Sequence, residues 1–262
     1  VRQAKKIARF YGEQDELELA FNLHFLRLHL RAPDFKKLVA ETYAAFKGPD
    51  WPVWTGSNHD EPGRFSSRWA AGDERKIRCI QLLLLTLKGT PVLYYGDEIG
   101  LQNAFVPPWR MKDPWGLKYF PIFAGRDRMR TPMAWRVAEG AGFTKPGVRP
   151  WLPYGKLESW NVTEQSADEN SILNFIKSLI SFRKGSLDLK LGEYQLLPTI
   201  DSVWAWRRGD KTLIYINMSN FHHEVDIPHG RIEVATVLNL VGEEVGESVT
   251  LPPWSGIIVV ER

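Results

Sequence analysis

The chain has 262 residues and a net charge of +3, enough length for one large domain or two ordinary ones with buried cores. Its Lys and Arg are scattered among Asp and Glu, which argues against the basic stripe of a nucleic-acid-binding surface. The longest apolar run, Ile80 to Leu87, is far too short to span a bilayer.

Val1-Arg2-Gln3 opens the chain without an initiator Met or a signal-peptide pattern, so the chain reads as though it begins inside a domain. Leu17 to Leu23 alternates in the manner of a strand. Asp34, after Pro33, is placed to cap a helix reaching Phe46. Trp51 to Gly56 reads as a second short strand and runs into the polar cluster Ser57-Asn58-His59-Asp60. Asp73 and Glu74 open a helix to Leu87, acidic at its positive end, and Gly89 and Pro91 stop it. Cys79 is the one cysteine; no disulfide framework or cysteine metal site follows. An inert buried thiol is expected, consistent with a reducing, cytoplasmic setting. Pro91 to Tyr95 is a third strand, ending in Gly96-Asp97-Glu98. Strand and helix in this alternation predict right-handed βαβ units and a parallel sheet.

Residues 101–169 interrupt the rhythm and are too long for an ordinary connection. Trp109, Trp115, Trp135 and Trp151 among them argue for order, because disordered segments are poor in aromatics. The chain holds 11 Trp, a surplus that serves either packing or platforms for sugar rings, whose C–H faces stack on indole. A helix over 170–184 follows. Beyond Gly185 only short strands remain, at 194–197, 203–207, 212–218, 223–227, 234–240, 249–251 and 257–260. They predict an antiparallel sandwich and a domain boundary near residue 185.

In parallel α/β barrels the loops leaving the C-terminal strand ends build the active site. Two such ends carry polar groups here, Ser57-Asn58-His59-Asp60 and Gly96-Asp97-Glu98. A His beside an Asp can hold a polar ligand, and a carboxylate there can stabilise a developing cation. The same residues would equally cap a turn through Asn58 and Asp60 while His59 packs.

Three segments occur in order: Ser57–Asp60, Gly89-Thr90-Pro91-Val92-Leu93-Tyr94-Tyr95-Gly96-Asp97-Glu98-Ile99-Gly100, and Gly125-Arg126-Asp127-Arg128-Met129-Arg130-Thr131-Pro132-Met133-Ala134-Trp135. With them the chain resembles the α-glucosidase and oligo-1,6-glucosidase branch of glycoside hydrolase family 13, and Leu19-Ala20-Phe21-Asn22 is similar to that family's sixth strand. The resemblance covers essentially the whole chain. It implies an α/β fold: a partial (β/α)8 TIM barrel, the last three strands and helices, over 1–184, followed by the all-β antiparallel sandwich over 185–262. It implies that Asp60 is the transition-state stabiliser, that His59 binds hydroxyls of the sugar, and that no cofactor is used. The implied partner is an α-linked glucose oligosaccharide, with no nucleic acid and no membrane. Members carry a sugar-holding Arg three residues after the Asp. Here Arg64 lies four after it, across Glu61-Pro62-Gly63, so the substrate-binding role comes with a changed spacing. Asp97 and Glu98 are expected to be structural, and for Arg126 and Arg130 structural and ligand-binding readings weigh equally.

A retaining glycosidase needs two carboxyl groups about 5–5.5 Å apart, a nucleophile and an acid/base. In the family these lie after the fourth and fifth strands, and neither segment occurs here. Glu13 could pass for the acid but falls in the approach to the sixth strand. Hydrolysis of short α-glucosides with retention is therefore expected of the intact protein, and no turnover of this chain alone. A half-barrel with an open edge is also expected to be unstable without the rest. Alternatives are a glucosyl-transferring or isomerising relative, such as a trehalose or isomaltulose synthase. Others are a non-catalytic glucosidase-like protein, and a carbohydrate-binding module built on Trp204, Trp206 and Trp254, for which packing is the preferred reading.

Overall fold

The structure, a computed structural model, describes residues 2–11, 17, 19–46, 50–60, 62–158 and 160–262, and Glu13 lies outside them. Two compact units form, one of Val1–Thr55, Arg78–Val92 and Ile176–Arg262, the other of Gly56–Ile77 and Leu93–Phe175.

The first unit begins with helices α1 (Arg2–Ala8) and α2 (Ala32–Ala45). Arg31, not Asp34, precedes α2, and its side chain makes no capping bond. Pro33 sits in the first turn, where its missing N–H is no loss, which moves the helix start upstream and leaves Asp34 inside the first turn at the positive end of the dipole. Of the strand expected over 17–23, the described residues keep one parallel bridge, Phe21 to Val53, with Asn22 N donating to Val53 O at 3.2 Å. Leu17, Leu19, Phe21 and Leu23 each leave about half their surface exposed, so burial does not hold this segment in a ladder.

Strands β1 (Val53–Thr55) and β2 (Thr90–Val92) pair in parallel, Val53 opposite Thr90 and Thr55 opposite Val92. Parallel pairing needs a long crossover, and the intervening chain supplies α3 (Phe65–Arg68) and α4 (Glu74–Thr86). Asp73 caps α4, accepting from Arg75 N at 3.0 Å. Trp54, fully buried, packs against Phe25 and Tyr43 and donates from Nε1 to Lys88 O at 2.8 Å. Gly89 follows at φ +136°, and a Cβ there would lie 2.5 Å from Pro52 O and 2.6 Å from Trp54 Nε1. Backbone strain and clash act together at that position, so Gly89→Ala is expected to cost about 1–3 kcal/mol, read as a lowered urea midpoint at constant slope.

Helices α5 (Pro114–Tyr119) and α6 (Val162–Ala167) belong to the second unit, along with several single turns of 3-10 helix. Residues 101–169 have defined structure, but Trp109, Trp115, Trp135 and Trp151 are exposed by 81, 60, 46 and 51%. Polar ties contribute much of the order. Gln165 Nε2 donates to Ile99 O at 2.8 Å while its Oε1 accepts from Leu173 N at 3.1 Å, and Asn161 caps α6 through Glu164 N at 2.9 Å.

Helix α7 (Ile172–Gly185) and the short α8 (Leu187–Leu191) lead to six strands. These are β3 (Tyr194–Leu197), β4 (Val203–Arg208), β5 (Thr212–Asn217), β6 (His223–Ala235), β7 (Glu244–Leu251) and β8 (Ser255–Glu261). They join in one antiparallel sheet of order β3-β4-β5-β8-β6-β7, with strand limits that differ from those expected. The difference lies in β6, which runs through 13 residues instead of stopping at Ile227. Its first half pairs with β7 and its second half with β8, with register shifts near Ile227–Gly230 and Ile232–Val234. Val203, Ala205, Leu213, Tyr215, Ile257 and Val259 share one core cluster with residues of β6. Trp204, Trp206, Ile214 and Ile258 are just as buried on the other face, and Trp254 is 7% exposed. The three tryptophans pack in the interior.

Candidate active site

Asp60, His59 and Arg64 all fall in the second unit, in the segment that leaves β1 at its C-terminal end. The turn is set locally: Asn58 Oδ1 accepts from Asp60 N at 3.0 Å, and Ser57 Oγ accepts from Phe65 N at 2.9 Å. Asp60 keeps 44% of its side chain exposed and His59 63%.

Three cationic or potentially cationic groups converge on one oxygen, Oδ1 of Asp60. Arg130 Nη2 donates to it at 2.7 Å, Arg126 Nη1 at 3.3 Å, and His59 Nε2 stands 3.7 Å away. Arg130 Nε also donates to His59 O at 3.0 Å. Among the described residues Oδ2 takes no hydrogen bond, so the carboxylate is oriented through one oxygen and presents the other.

Both arginines are themselves held. The fork of Arg126 grips Asp113, Nη2 to Oδ1 at 2.8 Å and Nε to Oδ2 at 3.1 Å, and Arg126 N adds a third bond at 2.8 Å. The Arg126 guanidinium holds the Asp113 carboxyl down at about 2, and Asp113 in turn raises the affinity of Arg126 for its proton. Asp127 Oδ2 accepts from Lys112 N and Asp113 N at 2.5 and 2.9 Å, closing the loop. Trp151 Nε1 donates to Arg130 O at 3.0 Å. Asp113 and Trp151 have no signal in sequence that ties them to Asp60; bidentate geometry is a tertiary property.

Arg64, expected to hold a sugar, is fully buried. Its guanidinium lies over the rings of Tyr94 and Tyr95, 4.7 and 4.6 Å from their centroids. Nη1 donates to Tyr95 O and Nη2 to Met129 O. Tyr94 and Tyr95 hydroxyls donate to the same Met129 O, at 3.1 and 3.3 Å. Arg64 thus lies inward, under the segment that carries Arg126 and Arg130.

Asp97 is also fully buried, in a turn bracketed by left-handed Gly96 and Gly100. Burial pushes its carboxyl up to about 7, against the pull of Arg64 and hydrogen bonds from Ser57 and Tyr94 N. A native value raised above the ordinary 3.8 favours folding while the group is protonated. That contribution is complete below about pH 4 and is lost as pH rises through about 7. Stability is therefore expected to fall by on the order of 2–3 kcal/mol between about pH 5 and pH 8 relative to Asp97→Asn, measured by urea unfolding of both proteins across that range.

Among the described residues no group of three or more His, Cys, Asp or Glu is placed to hold a metal ion, and no helix is long and apolar enough to cross a membrane.

The segment that follows β1 thus carries a carboxylate clamped by two arginines. The α-amylase catalytic-domain model matches residues 1–192, and the chain belongs to that family, glycoside hydrolase family 13. It is 30% identical, over 92% of its length, to the Rhizobium meliloti (strain 1021) protein named "Probable alpha-glucosidase", of which it covers 44%. It is 31% identical to the glucan 1,6-α-glucosidase of Streptococcus pneumoniae, over 80% of this chain and 43% of that protein. The crystal structure of the α-glucosyl transfer enzyme XgtA superposes with a TM-score of 0.85 at 28% identity, over 99% of this chain and 49% of that one. The chain thus spans about half the length of the relatives it matches.

Proposed function

We propose that these residues form the C-terminal half of a retaining α-glucosidase acting on short α-linked glucose oligosaccharides, with 1–184 completing a (β/α)8 barrel and 185–262 a separate β domain. In this reading Asp60 stabilises the positive charge that gathers on the glucose ring, and His59 bonds the ring's hydroxyls. Arg64 acts only as a positioning residue beneath them. The observation that carries the reading is the orientation of Asp60, clamped through Oδ1 by Arg126 and Arg130 with Oδ2 unbonded among the described residues, within a chain matching the family over 1–192.

The nucleophile and the acid/base belong to the remainder of the site. The acids nearest Asp60 in its network, Asp113 and Asp127, are both buried, one gripped by Arg126 and the other by two backbone N–H groups. Neither is disposed to attack an anomeric carbon or to exchange a proton with a leaving oxygen. The 262-residue chain by itself is expected to give no turnover.

A second reading, glucosyl transfer, draws on the likeness to the XgtA transfer enzyme. Proton NMR of maltose and isomaltose digests by the protein carrying all three carboxylates separates the two. Free α-glucose as first product supports retaining hydrolysis. New α-linked oligosaccharides as main product favour transfer, and β-glucose as first product overturns retention.

A further inference from the structure

A cavity of about 230 Å3 lies in the second unit, lined by Trp109, Arg110, Lys112, Arg149, Pro150 and Trp151. Its walls come from two short segments held together from below. Val106, Met111 and Leu152 form a small buried cluster, and Arg110 Nη2 donates to Pro150 O at 3.0 Å. The alternation of buried Met111 and Leu152 with exposed Lys112 and Trp151 turns the polar and aromatic groups outward.

Three cations and no carboxylate line this space. Among the described residues none of the three pairs with an acid, although the chain carries almost as many Asp and Glu as Lys and Arg. Like charges gathered in one concavity repel, and the field they focus favours an anion. A phosphate brings about −1.5 to −2 charges at neutral pH and three acceptor oxygens, which suits two exposed cations and the anchored fork of Arg110. The indoles of Trp109 and Trp151 add flat apolar faces for a ring. The volume takes one small molecule, not a polymer.

We propose that this cavity is a subsite for a sugar phosphate, with the phosphoryl group held by Arg110, Lys112 and Arg149 and the sugar ring against Trp109 and Trp151. Trp151 also donates to Arg130 O, and Arg130 holds Asp60, so the subsite adjoins the site described above. That adjacency gives the subsite a place in catalysis only if the glucosidase reading holds; binding itself does not depend on it.

Isothermal titration of the full chain with glucose 6-phosphate, glucose, inorganic phosphate and adenosine monophosphate tests the proposal. Glucose 6-phosphate is expected to bind tightest, by on the order of tenfold over glucose and over inorganic phosphate. Its affinity should weaken as ionic strength rises from about 0.1 to about 1 M, where the screening length falls to about 3 Å. Lys112→Ala with Arg149→Ala removes two exposed side chains and is expected to weaken glucose 6-phosphate by about tenfold or more. Arg149→Gln keeps the bulk and should weaken it in the same direction. Lys145→Ala, an exposed cation outside the cavity, should change nothing. Equal affinity for glucose and glucose 6-phosphate, tighter binding of adenosine monophosphate, or an unaltered double variant overturns the proposal. Failure here leaves the glucosidase reading intact, because titration requires no turnover. An Asp60→Asn protein with an unchanged kcat on maltose, in contrast, would remove that reading and leave the subsite.

Discussion

Asp60→Asn, in the protein that carries the whole site, is expected to lower kcat by about 10²–10³-fold while leaving KM within a few-fold. Asparagine keeps the shape and offers Arg130 an amide oxygen in place of Oδ1, so the turn held by Asn58 should survive. What disappears is the negative charge. Its removal also uncovers Arg126 and Arg130, 3.3 and 2.7 Å from Oδ1, whose positive charges then face the place where an oxocarbenium-like centre develops. The ground state carries little charge there, so the penalty falls on the transition state and appears in kcat. Steady-state kinetics on maltose, with thermal melting to check the fold, decides the matter. An unchanged kcat would remove the assigned role of this carboxylate.

Arg208→Met is expected to cost about 3–5 kcal/mol of stability. Arg208 is fully buried, and burial pulls its guanidinium down to about 10. Among the described residues every bond it makes goes to the main chain: Nη1 to Thr86 O at 2.5 Å, Nη2 to Leu189 O at 3.1 Å, and Nε and Nη2 to Gly192 O at 3.2 and 3.0 Å. Thr86 O belongs to the last turn of α4, where carbonyls lack intrahelical partners. Arg183 serves the same helix end, donating to Leu85 O at 2.6 Å and to Gly89 O at 2.9 Å. Methionine fills the volume but leaves the carbonyls of Thr86, Leu189 and Gly192 without this donor. Lysine restores the charge but not the fork, so Arg208→Lys should lie between the two. Urea unfolding gives the order directly: wild type, then Lys, then Met. A Met variant as stable as wild type would mean that water reaches these carbonyls.

The elements most legible in the sequence were those marked by local chemistry. Asp73 and Gly89 bracket α4, and the apolar run at 51–56 becomes β1, because capping and strand patterning act over a few residues. Where a choice depends on distant partners, local patterning points elsewhere. Asp34 looked like a cap, yet Pro33 entered the helix and carried the boundary back. The breaks foreseen in the C-terminal sheet vanished inside β6, since pairing with two neighbours stabilises a strand that its own residues, Pro228 and Gly230 among them, would interrupt. At the site, Asp60 and His59 announced themselves as a polar cluster after a strand. Arg126 and Arg130 did so only through resemblance, and nothing in the order of residues says that Asp113 grips Arg126 or that Arg64 turns inward.

Strand β8 lies between β5 and β6, although of the six it is the last to leave the ribosome. Until it arrives, the hairpin of β4 and β5 and the β6–β7 pair each present an open ladder with nothing to join them. The nascent domain therefore passes through an interval in which unsatisfied backbone edges are available to neighbouring chains. A premature stop before Ser255 would make that interval permanent, dividing the sheet through its middle instead of trimming its margin.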